Sequence, residues 1–110
     1  MADSNYSPLT EAVYYILLSL YEPLHGYGII QYVEEISGGR VVLAPGTLYG
    51  ALSTLQEKGL IKPVNMDTDS RKKEYLITSL GKRIVKKEIV RLKELIDNGE
   101  KTLGGELQWE

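Results

Sequence analysis

Cysteine is absent from this chain of 110 residues, and histidine occurs once, at His25. No disulfide framework and no thiolate metal site can be built without cysteine. A metal at His25 would need companion ligands that the sequence does not supply. His25 is therefore expected in a loop or capping role, and no cofactor is expected. A Ser–His–Asp set, a glycine-rich phosphate loop and a persuasively placed pair of acids are all missing, so catalysis is not expected either. Long hydrophobic runs are missing too. The longest, "AVYYILLSLY" from Ala12 to Tyr21, is about half the roughly 20 residues that a membrane span needs. It follows Asp3 and Glu11 instead of a basic region, so a signal peptide is not expected. These absences fit a cytoplasmic protein.

Cations are almost absent from the first half. Residues 1–57 carry one, Arg40, against six acids. Residues 58–93 carry eleven cations and four acids, and residues 94–110 one cation and five acids. The formal net charge of −2 thus hides a positive sector, and local charge is what a polyanion meets. A length of 110 residues supports one domain, and 43% hydrophobic content is a globular value.

Helical periodicity dominates what is present. Leu9, Ala12, Val13, Ile16, Leu17 and Leu20 repeat at helical spacing over 8–21, with Ser7 as the expected N-cap and Pro8 in the first turn. Tyr14, Tyr15 and Leu18 widen that band beyond one face, which hints at a subunit contact. A second helix is expected over 25–37, with Ile29, Ile30, Val33 and Ile36 inward and Gly38-Gly39 as its stop. "RVVLA" reads as a short extended piece. Pro45 opens a third helix, 45–58, closed by Gly59. "LIKPVNM" and "KKEYLIT" read as a two-stranded hairpin over 60–78 with "DTDSR" as its turn. Thr78 is the expected N-cap of a last helix, 79–97, ended by Asn98-Gly99, and the tail 98–110 is expected to fray. The fold class is therefore mainly α with a small β-hairpin: a winged helix-turn-helix over residues 1–78 and a C-terminal dimerisation helix.

One further absence is local. Nothing from Pro45 through Gln56 is charged, although a quarter of the chain is. Leu48, Leu52 and Leu55 form the inward stripe. The opposite side offers Gly46, Thr47, Tyr49, Gly50, Ser53 and Thr54, where surface helices usually carry charge. A face that reads DNA must approach base edges closely and must not repel phosphate, and small neutral residues meet both demands. The helix start adds unpaired N–H groups and a positive dipole end. The plainer alternative is a small-residue helix packed against another protein surface.

"HGYGI" (25–29), "GTLYGALSTLQEKGLI" (46–61) and "KKEYLITSLGKR" (72–83) resemble the PadR family of transcriptional regulators, in order and spacing, from about Pro8 to Ile96. The resemblance implies a dimeric repressor on double-stranded DNA, its last helix packed against the partner's first. It implies that Gly26 and Tyr27 touch the DNA backbone, that Thr47 and Tyr49 open the groove-facing helix, and that Lys73, with Arg71 and Lys72, serves the wing. Tyr27 and Tyr49 each also have a plain reading as half-buried core tyrosines. Leu9, Val13, Ile16, Leu17, Val85, Ile89, Leu92 and Ile96 are the expected dimer contacts. Gly50 stands where proline is usual, and Ala44 where a capping hydroxyl is common.

Some relatives bind planar aromatic compounds at the dimer interface, so a small hydrophobic or aromatic effector is compatible with the resemblance. Trp109 in the tail and the tyrosines of the first helix are both candidates to meet one. Only Gln56 could make a bidentate base contact, which predicts a share of DNA-shape readout. The competing reading is a winged-helix protein-interaction module that never reads DNA.

Overall fold

The structure, a computed structural model, describes residues 8–64 and 73–104. Four helices surround one edge of a small sheet: α1 (Glu11–Ser19), β1 (Leu24–His25), α2 (Gly26–Ile36), α3 (Pro45–Glu57), β2 (Ile61–Pro63), β3 (Glu74–Ile77) and α4 (Ser79–Leu103). Among the described residues, no helix is long and apolar enough to cross a membrane.

Helix α1 begins later than Ser7 and Pro8 suggest. Thr10 caps it, its Oγ1 accepting the Val13 N–H at 3.2 Å, while Ser7 lies outside the described residues. The capping residue wins because the Thr10 backbone is extended, the geometry an N-cap requires. Ile16, Leu17 and Leu20 are fully buried. Ser19 is buried among them, and its hydroxyl donates to the Ile16 carbonyl at 2.6 Å.

Helix α2 stops at Ser37, followed by Gly38 and Gly39 at φ +63° and +84°. Its inward residues are Ile29 and Val33, with Ile30 partly covered; Ile36, expected inside, is 44% exposed. "RVVLA" pairs with no strand: Leu43 reaches the core while Val42 faces solvent. Ala44 gives α3 no side-chain cap, as its methyl dictates, and Pro45 takes the first position. Leu48, Leu52 and Leu55 are buried, and Gly59, at φ +77°, turns the chain out of the helix.

The sheet has three antiparallel strands in the order β1-β3-β2, one more than the expected hairpin. Ile61 pairs with Ile77 and Pro63 with Tyr75, while Leu24 pairs with Tyr75 and His25 with Glu74 on the other edge. The central strand thereby joins the wing to the start of α2. Ile77 N–H also donates to the Leu20 carbonyl at 2.8 Å, fixing the end of α1 to the same strand.

Thr78 caps α4 as expected: its Oγ1 accepts the Gly81 N–H at 3.0 Å and donates to the Gly59 carbonyl at 2.6 Å. The helix runs through Asn98-Gly99 to Leu103, six residues beyond the expected end. Asn-Gly terminates a helix only when the chain turns there. Here good helix formers follow, Lys101 pairs with Asp97 at 3.3 Å, and Gly104 makes the stop at φ +62°. At 25 residues α4 is about 37 Å long, and every residue of it from Lys93 to Leu103 is exposed.

Gly81 is buried where α4 crosses the α3–β2 turn. A Cβ there would collide with the Leu60 carbonyl and lie 2.6 Å from Ile77 Cγ1. Gly50 faces open space. Gly81→Ala is therefore expected to destabilise the fold by about 1–3 kcal/mol, and Gly50→Ala to stabilise it by about 0.5–1 kcal/mol. Urea denaturation of the two variants beside the wild type checks both signs.

Candidate nucleic-acid interface

Three elements carry the expected site residues: the start of α2, which the Tyr49 ring joins to the outer face of α3, and β3, which pairs with β1 just before α2. Each is placed by the core behind it. The α3 leucines are held against α2 and β2, which turns Gly46, Thr47, Tyr49, Gly50 and Ser53 outward, all of them exposed. Thr54 is exposed as well, its hydroxyl returned to the Gly50 carbonyl at 3.2 Å. Apart from the Tyr49 ring, the uncharged face is exposed among the described residues.

Tyr27 is 66% and Tyr49 51% exposed, which removes the core reading for Tyr27. Tyr49 lies against the start of α2. Its ring would stand 2.8 Å, at Cζ, from a Cβ on Gly26. Gly26 itself is buried. Within the chain, the Tyr49 ring lies over Gly26, the residue that the resemblance expects at the DNA backbone.

His25 caps α2, with the Gly28 N–H donating to Nδ1 at 2.9 Å. This is the capping role expected for the lone histidine. The Nδ1 lone pair is committed to the backbone, and its strand pairing with Glu74 fixes the residue from the other side.

On the wing, Lys73 places its ammonium 5.6 Å from the centre of the Tyr75 ring, a cation–π contact that steadies it beside β3. Arg71, Lys72 and the "DTDSR" turn lie outside the described residues. Lys62 on β2 is exposed as well. Sequence reasoning left it out, although alternation along "IKP" puts it opposite buried Ile61. Arg40, the lone cation of residues 1–57, is paired with Glu11 of α1; the hydrogen bond that it donates to that carboxylate raises its pKa above the ordinary arginine value.

The expected dimer contacts divide. Ile16, Leu17 and Val85 are at most 2% exposed within the chain's own core and have no surface left for a partner. Leu9, Val13 and Ile89 are partly buried against that core. Ile96 is 56% exposed, joined by Leu95 at 52% and Leu103 at 41%. Leu92 stands half-buried between these groups. Glu88, unmarked by any sequence signal, is 2% exposed. Its carboxylate accepts the Leu9 N–H at 3.1 Å and receives Arg91 at 2.9 and 2.6 Å. It ties the entry to α1 to the middle of α4.

The description "Transcriptional regulator PadR-like family" matches residues 15–87, which span α1 through the buried part of α4. The chain belongs to the PadR-like family of transcriptional regulators. A PadR family transcription regulator from hypervirulent Clostridium difficile R20291 is similar in fold, with a TM-score of 0.70 at 23% identity, over 86% of this chain and 100% of that one. The PadR family regulator from Eggerthella lenta DSM 2243 gives 0.68 at 24% identity, over 84% and 81%. The hsRosR-S4 complex structure gives 0.64 at 29% identity, over 100% and 84%. An uncharacterized 37.1 kDa protein in transposon TN4556 of Streptomyces fradiae is 39% identical over 66 residues, 60% of this chain and 18% of that protein. The chain thus spans less than a fifth of that relative's length. The chain therefore has the winged-helix fold of a PadR-like transcriptional regulator.

The His25 cap carries its own test. His25→Ala is expected to lose about 1 kcal/mol of stability and His25→Asn to recover most of it, because asparagine is a strong N-cap. Urea denaturation at neutral pH distinguishes these from a purely steric effect, in which both variants would lose alike.

Proposed function

We propose that this PadR-like protein is a homodimeric repressor that inserts two α3 helices into successive major grooves of a pseudo-palindromic operator. The observation that carries the reading is the exposed, acid-free face of α3 between Pro45 and Gln56. Gly46, Thr47, Gly50 and Ser53 admit the base edges. The Tyr27 and Tyr49 hydroxyls and the wing cations Lys73, Arg71 and Lys72 meet phosphates. No Arg, Lys or Asn stands on the α3 face for a bidentate base contact. Affinity is therefore chiefly electrostatic and shape-dependent.

The second copy is argued from α4. The stripe that is buried at Gly81, Ile84 and Val85 continues outward as Leu92, Leu95, Ile96 and Leu103. Beyond Leu92 nothing among the described residues buries it. An apolar stripe on the same helix face is stable in water only when something covers it. A second subunit's α1 and α4 supply such cover. Two-fold pairing then sets the α3 helices about 34–36 Å apart, one turn of the duplex.

Release by a small aromatic effector fits the same geometry. A groove of about 280 Å³ lies between α1 and α4. Tyr14 and Tyr15 line it, their rings 5.9 Å apart and tilted by 53°, together with Glu88, Arg91 and Leu92.

Genomic-fragment selection with the purified protein, then footprinting, tests the reading; a protected site with two half-sites one turn apart is expected. Lys72→Ala with Lys73→Ala should weaken binding to all sequences about equally and lower the salt slope by about 0.9 per lost phosphate contact. Thr47 variants should change sequence preference instead. Ile96→Glu should yield monomers in sedimentation and weaken operator binding by at least about tenfold. Absence of any duplex retention at low salt would return the protein-interaction module to first place.

A further inference from the structure

We propose that Gly26 is a positioning residue: the Cβ-free start of α2 is a socket that seats the Tyr49 ring and so fixes where the recognition helix presents its hydroxyl. This rests on the DNA-reading role proposed for α3.

Backbone conformation does not explain a glycine here. Gly26 has no positive φ and is the first residue of a regular helix, where alanine is otherwise favourable. Space does explain it. A Cβ at Gly26 would overlap the Tyr49 hydroxyl, with Cζ at 2.8 Å and Cε1 at 3.3 Å. Gly46 and Gly50, on the same recognition surface, show nothing within 4 Å of an added Cβ. Of these three glycines, only Gly26 has such a close approach. Gly26 follows β1 directly, and β1 is bonded to β3 beside Lys73. Its helix end is also held by the His25 cap. The socket is therefore rigidly joined to the wing.

Tyr49 would otherwise be a long aromatic side chain in the first turns of α3, leaning back toward the helix start, as helical side chains do. That is where Gly46 and Thr47 are. Seated on Gly26, the ring leaves the face of Gly46, Thr47, Gly50 and Ser53 uncovered. It also holds its hydroxyl at the α2 start, beside exposed Tyr27. Tyr49 thereby contributes a fixed backbone contact and is withheld from base reading.

A double-mutant cycle tests this, with two readouts: urea stability, and affinity for the operator duplex recovered by selection. Tyr49 is the movable partner, so Gly26→Ala is expected to fold with its ring displaced. Operator affinity should fall roughly tenfold, with a changed preference at the bases nearest Thr47. In the Tyr49→Ala background the same Gly26→Ala change should leave affinity within about twofold and should not destabilise. An equal loss in both backgrounds would mean that Gly26 acts by its own contact and would overturn the socket. Stability coupling without affinity coupling would leave the contact but end its positioning role. Should the wild type retain no duplex at all, the DNA reading fails first; the stability cycle then still reports whether the ring is seated, while the positioning role falls with that reading.

Discussion

Gly81 lets the backbone of α4 lie directly on the Leu60 carbonyl, and the direction of every element around it follows. Within a few residues the Thr78 hydroxyl bonds the Gly59 carbonyl, the Thr78 N–H donates to Leu60 at 3.0 Å, and the Ile77 N–H donates to Leu20. Those bonds join the ends of α1 and α3, the central strand and the start of α4 at one junction. A side chain at Gly81 would separate α4 from the turn and pull the capping threonine out of reach. The winged helix is in this sense built outward from that junction.

Local features of the chain were largely readable from sequence because their causes are local. The leucine triplet of α3 specifies which side faces in. Thr78 announces its helix by type and position, Gly59 marks an end, and Ala44 correctly implies a helix without a side-chain cap. The solitary histidine, lacking metal partners, was rightly expected to cap or to sit in a loop. What was missed depends on distant pairs. Two residues, Leu24 and His25, make too short a strand to show alternation, and they count as a strand only because β3 lies beside them. Asn98-Gly99 looks like a stop, but the stripe beyond it continues the helix. Glu88 reads as an ordinary charge between lysines and an arginine until Leu9, 79 positions away, proves to be its partner.

The same distinction applies to the binding face. Its neutrality and small side chains were visible in "GTLYGALSTLQ" alone. The position of the Tyr49 ring over Gly26 was not, since the two lie on different helices and neither type demands the other. Three of the expected subunit contacts lie in the chain's own core for a related reason. Ile16, Leu17 and Val85 share their periodicity with residues that remain exposed, and periodicity gives a side of a helix without saying how far along it the chain's own core extends.

Charge follows the architecture closely. The acidic first half supplies α1 and α2, and its lone cation, Arg40, is bound to Glu11 in an exposed pair. The basic sector begins at Lys58 and runs through the wing into α4. Beyond Leu92 the last helix is exposed among the described residues, and a helix advances 1.5 Å and turns about 100° with each residue. Insertion or deletion of a single residue in its outer half would leave the globular part intact yet rotate Ile96 and Leu103 by more than a quarter turn about the axis. Residue count in this segment is therefore a gear ratio: it determines the azimuth at which the far end of the molecule faces its surroundings.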